Sequence, residues 1–209
     1  MNELKIGKIT LGICQTNCYF VYEDGKKEVL LFDPADHGDY LYNALKEKDF
    51  SVGAILLTHG HFDHIWGAEK LRELSGAKLY AYEGEKELCG DAGLNVSAQA
   101  GRACQVVPDV LFRDGEEFTL LGITGKVIAT PGHTGGSCCY YFEKDKILIS
   151  GDTLFLESVG RTDFPTGSMS TLVRSIREKL MVLPDDVKVY PGHGPSTTIG
   201  YERENNSFF

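Results

Sequence analysis

Short apolar runs and helical apolar stripes follow each other along this chain, and the sequence of patterns occurs twice. Leu4 to Ile9 and Cys18 to Glu23 suit antiparallel strands, Asp24-Gly25 supplies turn chemistry, and Glu28 to Phe32 (EVLLF) returns as a more buried strand. Asp33-Pro34 closes that strand, after which Leu41, Ala44 and Leu45 share one face of a helix. The run Ile55-Leu56-Leu57 reads as a buried strand, and Trp66, Ala68, Leu71 and Leu74 then recur at helical spacing. Ala77 to Tyr82 is a further strand and Glu85 to Cys89 a short helix. Asp91 to Pro108 is small, polar and aperiodic, which predicts a long loop near the mouth of a site.

The second half repeats the plan. Val110 to Leu121 reads as a hairpin around Asp114-Gly115, Lys126 to Ala129 as a strand, and Cys138 to Phe142 with Lys146 to Ile149 as another hairpin. Ser168 is placed to cap a helix with Met169, Leu172, Val173, Ile176 and Leu180 on its core face, and Val187 to Tyr190 is the last strand. Strands followed by helices, twice over, predict an α/β protein of two β-rich layers packed face to face with helices outside. The 209 residues suit a single domain, 1–209.

The candidate chemistry gathers where predicted strands end. Thr58-His59-Gly60-His61-Phe62-Asp63-His64 follows the Ile55 strand, Pro131-Gly132-His133-Thr134 follows the Lys126 strand, Gly151-Asp152-Thr153 follows the Lys146 strand, and Pro191-Gly192-His193-Gly194 follows the last. Of six histidines only His37 lies elsewhere, and it is expected at the start of a helix. Neutral imidazole and carboxylate are the ligands a borderline cation such as zinc prefers. In open α/β sheets ligands gather beyond the carboxyl ends of strands, so the four loops are expected to converge.

Composition narrows the partners. With 21 basic against 30 acidic residues the formal net charge is −9, which disfavours nucleic acid and anionic membranes. No signal peptide and no membrane-spanning run is read from the sequence, so a cytoplasmic protein with a small-molecule substrate is expected. The six cysteines include no C-x-x-C pair and are expected to be free thiols, with the neighbours Cys138 and Cys139 on opposite faces of a strand.

The set T-H-G-H-F-D-H, P-G-H-T, G-D-T and P-G-H-G, spanning roughly Asn17 to His193, resembles the metallo-β-lactamase fold hydrolases. Within them it most resembles the glyoxalase II (hydroxyacylglutathione hydrolase) branch, in a compact form lacking the C-terminal helical domain. The resemblance implies an αββα sandwich with two divalent metal ions, most often zinc, with iron or a mixed iron/zinc pair as alternatives. It implies that His59, His61 and His133 hold the first ion and Asp63, His64 and His193 the second, with Asp152 bridging both. Asp33 would support the metal loop or serve as a turn residue. Two cations sharing a water lower its pKa enough to supply hydroxide at neutral pH, so Asp63 and Asp152 serve catalysis and no Ser or Cys nucleophile is required. The implied reaction is hydrolysis of a thioester, such as a hydroxyacylglutathione, to a carboxylic acid and a thiol.

Two features depart from glyoxalase II. The basic C-terminal extension that grips glutathione is not found before Phe209, and the substrate loop reads Val159-Gly160-Arg161-Thr162-Asp163-Phe164. Arg161 is the candidate substrate clamp, with a surface ion pair as its ordinary alternative. Arg102 and Lys126 would help if they lay near the mouth. Gly160 to Phe164 also resembles a stretch of the persulfide dioxygenases, which use one iron, so that activity is the chief rival. A non-catalytic metal-binding protein is the remaining alternative.

Overall fold

The computed structural model describes residues 3–209. Strands β1 (Leu4–Leu11), β2 (Thr16–Glu23) and β3 (Glu28–Phe32) form an antiparallel meander. Helix α1 (Gly38–Glu47) crosses to β4 (Ser51–Leu56), which lies parallel to β3. After the short α2 (Phe62–Ile65) and α3 (Ala68–Ser75), β5 (Lys78–Tyr82) adds in parallel. α4 (Lys86–Cys89) and a long loop lead to β6 (Val110–Phe112), again parallel, which completes a six-stranded sheet in chain order.

The second sheet contains β7 (Glu117–Leu120), β8 (Ile123–Ala129), β9 (Cys138–Phe142) and β10 (Ile147–Gly151), antiparallel in turn. A small separate hairpin, β11 (Leu154–Phe155) with β12 (Ser158–Val159), comes next. Helix α5 (Met169–Ser175) follows, continued by a π-helical stretch, Ile176–Leu180. β13 (Lys188–Pro191) then pairs parallel to β10, β14 (Thr197–Thr198) caps the edge, and α6 (Ile199–Asn205) follows.

Alternation along the strands separates three cores. In β3, Leu30 and Phe32 point between the sheets, while Val29 and Leu31 face α1 and α3. In β4, Gly53 is an extra residue against β3, so Val52 and Ile55 share the helix-facing side although their spacing is odd. On β9, Cys138, Tyr140 and Phe142 enter the inter-sheet core, and Cys139 and Tyr141 face α5. Each large apolar side chain buried this way contributes about 1.5–3 kcal/mol. This is the αββα sandwich expected, with both sheets covered by helices on their outer faces.

Three local expectations need correction. Val110 to Leu121 is not a hairpin: β6 pairs with β5 and β7 with β8, so the chain crosses between sheets at Asp114-Gly115. Phe112 and Phe118 stack at 5.1 Å inside the inter-sheet core, so burial rather than local pairing sets their placement. The hairpin turn lies instead at Leu121-Gly122, both left-handed at φ 55° and 85°. The helix after the histidine loop is broken at Gly67, whose N–H donates to Pro34 O, and its Leu74 is exposed. Met169, expected in the core, is also exposed at the first turn of α5, while Leu172, Ile176 and Leu180 are buried.

The Ser168 cap is observed, its side chain accepting from Thr171 N. His37 stands at the start of α1, where its side chain makes no capping hydrogen bond, and all six cysteines are free thiols. Among the described residues no helix is long and apolar enough to cross a membrane.

Candidate metal centre

The convergence follows from strand direction. β4 is parallel to β3, and β13 to β10, so the loops after β4, β10 and β13 leave from carboxyl ends. Cys138 N donates to Thr58 O across the sheets at 2.9 Å, which draws the His133 loop beside the His59 loop. Asn17 N donates to Gly192 O at 2.7 Å, and the Asn17 side chain donates to the carbonyls of Pro191 and Gly194. Position 192 must be glycine, since a Cβ there would stand 2.2 Å from Asp152 Oδ1.

The seven candidate side chains come together. His61 Nδ1 lies 2.9 Å from His133 Nε2, which lies 3.2 Å from His59 Nε2. Asp63 Oδ2 lies 3.3 Å from His193 Nε2 and 3.8 Å from His64 Nε2. Asp152 reaches into both groups, with Oδ1 3.3 Å from His64 Nε2 and Oδ2 3.7 Å from His133 Nε2 and 3.4 Å from His193 Nε2.

Outer contacts fix which nitrogen faces inward. Asp33 Oδ1 accepts from Thr58 N and Oδ2 from the Thr58 hydroxyl, at 2.8 and 2.7 Å. That hydroxyl has spent its proton, so His59 Nδ1, 3.1 Å away, must donate to it. His64 Nδ1 donates to Asp33 Oδ2 at 3.0 Å, His133 Nδ1 to Arg161 O at 2.7 Å, and His193 Nδ1 to Cys14 O at 3.1 Å. Four imidazoles thereby turn Nε2 toward a common point. Asp33 does this from a left-handed backbone, φ 49°, a conformation Asp tolerates better than most residues.

Electrostatics divide the cluster. Burial, joined by neighbouring imidazoles, lowers the pKa of His59, and lowers that of His61 to about 3. Burial also lowers His133, against the pull of Asp152. Burial opposes charge on His64 and His193 too, but Asp152 and Asp63 override it, raising His64 and taking His193 up to about 9. Burial would raise Asp152, yet His64 and His193 hold it well below the usual carboxylate range. His64 Nε2 and Asp152 Oδ1 are buried without a hydrogen-bond partner. Such atoms are costly unless something compensates, and the inward lone pairs of three imidazoles crowd in the same place. A bound cation satisfies all of them, so the donor set fits a metal centre, and among the described residues three ligand-competent groups are present: His59/His61/His133, His59/His64/Asp152 and Asp63/His64/His193.

A cavity of about 440 Å³ opens over this cluster. Phe62, Phe155, Val159 and Phe164 supply apolar walls, and Arg161 lies at its edge. Arg161 donates to both oxygens of Asp163, at 2.7 and 2.6 Å, and stacks 4.0 Å over Phe164. Arg102 does not line the cavity: it pairs with Asp36 at 2.6 Å and covers Trp66. Lys126, on β8, lies in a different depression with Glu117 and Glu143. The loop from Asp91 to Pro108 is not part of the cavity lining either, but Asn95 O accepts from Phe62 N and so braces one wall. The sequence reading missed Thr16, whose hydroxyl donates to Asp63 Oδ2 at 3.2 Å, as well as Asn17, Thr58 and the buried Glu85. Thr16, Asn17 and Glu85 carry no local pattern, because each acts across a large sequence separation, and Thr58 stands in the T-H-G-H-F-D-H set but acts through Asp33, 25 residues away.

Residues 11–193 match the model of the metallo-beta-lactamase superfamily. The chain belongs to that superfamily. It is 38% identical to a probable metallo-hydrolase, YqgX, of Bacillus subtilis over 98% of this chain and 97% of that one. It is 35% identical to the hydroxyacylglutathione hydrolase GloC of Haemophilus influenzae over 98% of each. Among solved structures it is similar to the BLEG-1 B3 metallo-beta-lactamase, with TM-score 0.92 and 39% identity over 98% of this chain and 99% of that one. TTHA1623 in a di-iron-bound form follows, with TM-score 0.85 and 33% identity over 97% and 100%.

Proposed function

We propose that the chain is a dinuclear metal-dependent hydrolase of thioesters, acting within one domain, 1–209. His59, His61 and His133 would hold one ion, Asp63, His64 and His193 the other, and Asp152 would bridge them. The observation that carries the two-ion reading is the span of Asp152, whose two oxygens lie 3.3 Å from His64 Nε2 and 3.4 Å from His193 Nε2, with His133 at 3.7 Å. Zinc suits the donor set, and iron or a mixed pair is equally compatible with it; the di-iron form of TTHA1623 supports that latitude.

When bound, the ions polarise the substrate carbonyl and lower the pKa of water. The chain's own residues do the rest. Asp63, held by Thr16 and facing His193, and Asp152 supply the carboxylate charge that orients the attacking water. The Arg161 and Cys14 carbonyls and Asp33 keep His133, His193 and His64 from rotating. Water adds its oxygen to the thioester carbon, the carbon–sulfur bond breaks, and the water's protons end on the thiol and in solution beside the carboxylate product.

The hydroxyacylglutathione hydrolase relative supports a thioester substrate. The walls favour neutral, apolar substituents: four apolar side chains line the cavity, and the guanidinium of Arg161 at its edge is already paired with Asp163. Weak saturation by glutathione thioesters is therefore expected, with other thioesters cleaved at comparable efficiency.

The test runs elemental analysis beside three assays. About two ions per chain and free thiol from S-lactoylglutathione or an aryl thioester, without oxygen uptake, support the proposal. Stoichiometric oxygen uptake with glutathione persulfide and no thioester cleavage would move the chain to the dioxygenase reading. Hydrolysis of a β-lactam alone would replace the substrate class, and metal binding with no turnover in any assay would leave a binding protein.

A further inference from the structure

Glu85 is 1% exposed, and among the described residues no basic side chain pairs with it. A buried carboxyl without a counter-charge is costly to a fold. Its surroundings are almost all parts of the metal centre. Oε1 accepts from Gly60 N at 2.9 Å, and Gly60 is the residue between His59 and His61. Burial pushes the carboxyl up to about 7, opposed first by that N–H and then by the Thr134 hydroxyl and the Gly136 N–H of the His133 loop. Those last two approach without good hydrogen-bond geometry, since Oε2 is left with no partner.

The backbone tells the same story. A Cβ on Gly136 would stand 2.2 Å from the Gly84 carbonyl carbon and 2.4 Å from Glu85 N. On the other side, a Cβ on Gly60 would stand 2.7 Å from Cys89 Sγ and 3.0 Å from Leu88 Cδ2 of α4. The segment from Gly84 to Cys89 is thus wedged between the loop of His59 and His61 and the loop of His133.

We propose that Glu85 is a positioning residue, whose buried carboxyl sets the loop of His59 and His61 against the loop of His133 and so fixes the geometry of the three-imidazole site. It has no comparable contact with the Asp63, His64 and His193 group, which is held by Asp33, Thr16 and Cys14. The inference rests on the two-ion assignment above and not on the thioester reading.

The experiment compares full-length wild type, Glu85→Ala and Glu85→Gln. Metal affinities are read by competition with a chromophoric chelator, and site geometry by the visible spectrum of the Co(II)-loaded protein. His59→Ala and His193→Ala supply the reference spectra of each ion alone. Glu85→Ala is expected to weaken the three-imidazole ion about ten- to a hundredfold and to alter its Co(II) bands, while the other ion is held as in wild type. Glu85→Gln retains an oxygen for Gly60 N–H and should restore most of both signals.

Unchanged affinities and spectrum in Glu85→Ala would overturn the proposal. So would equal weakening at both sites with a lower melting temperature of the metal-free protein, which marks a general scaffold residue. If Glu85→Ala does not fold, Glu85→Asp decides, because it keeps the carboxyl and shortens the reach. Selective weakening of the three-imidazole ion then supports the inference, and unchanged affinity overturns it. Wild type that binds fewer than two ions sinks the metal assignment, and the proposal with it.

Discussion

The two halves of the cluster share Asp152 but are prepared in opposite ways. His59, His61 and His133 are 1–2% exposed, and burial lowers the pKa of all three, so they stand neutral before any ion arrives. His64 and His193 instead have raised pKa values, because Asp152 and Asp63 outweigh burial, and the His193 side chain is 27% exposed. Burial sets the charge state of the first half, and the carboxylates of Asp152 and Asp63 set that of the second. The first half should therefore be sensitive to how its loops are held, and the second to carboxylates and to pH.

The largest expected effect removes the residue that the halves share. Asp152→Ala should lower occupancy of both ions and reduce activity by well over about 100-fold, more than loss of an outer contact usually costs. His59→Ala, by contrast, should cost one ion and activity while the Asp63/His64/His193 ion remains. Elemental analysis and turnover of the same samples check both, and full occupancy in Asp152→Ala would dissolve the comparison.

Asp33→Ala should separate the halves further. It removes the acceptor of His64 Nδ1 at 3.0 Å, so the Asp63/His64/His193 ion should bind about ten- to a hundredfold more weakly. The three-imidazole ion should weaken less, since Thr58 still faces His59. Chelator competition reads the two affinities, and equal losses would show that Asp33 acts on the loop as a whole.

Protons give a third contrast. A pKa raised to about 9 keeps His193 charged in the metal-free protein at neutral pH, and His64 is raised in the same direction. Ligation needs neutral imidazole, so binding the second ion at pH 7 should release on the order of two protons and strengthen steeply as pH rises toward 9. Binding at His59 and His61, whose pKa values are lowered, should release almost none above their ordinary range. Calorimetry in buffers of different ionisation enthalpy counts these protons, and equal release at both sites would contradict the division.

The smallest effect is at the cavity edge. Arg161→Ala removes an exposed cation already paired with Asp163, a contact that contributes on the order of 1 kcal/mol or less. The Michaelis constant for anionic thioesters should rise several-fold. Metal content should stay intact, because His133 is oriented by the Arg161 backbone carbonyl and not by its side chain. Loss of an ion in this variant would show that the side chain holds the loop in place.

Much of this was legible along the chain. The histidine loop, His133, Asp152 and His193 each follow an apolar strand run, and strand ends are where open sheets expose backbone and side chains to a ligand. Alternation in EVLLF and CCYYF set which side chains enter which core, down to the opposite faces of Cys138 and Cys139. The hairpin expected at Asp114-Gly115 failed for a reason local pattern cannot register. Turn chemistry there is real, but β6 pairs with β5 and β7 with β8, which places Phe112 and Phe118 together between the sheets.

What only the tertiary structure decided are the contacts between residues far apart in the chain. Asp33 reaches Thr58 and His64, Asn17 ties down the loop of His193, Arg161 offers His133 a carbonyl, and Glu85 meets Gly60. The same is true of the division into neutral and protonated imidazoles, which depends on burial and on which carboxylate each ring faces. By itself the sequence determined the kinds of ligand, the strand ends that carry them and the layers that bury them, because periodicity and side-chain chemistry are properties of neighbours along the chain. Register between sheets, ring orientation and proton affinity are set through space, by groups whose separation in sequence leaves no periodic trace.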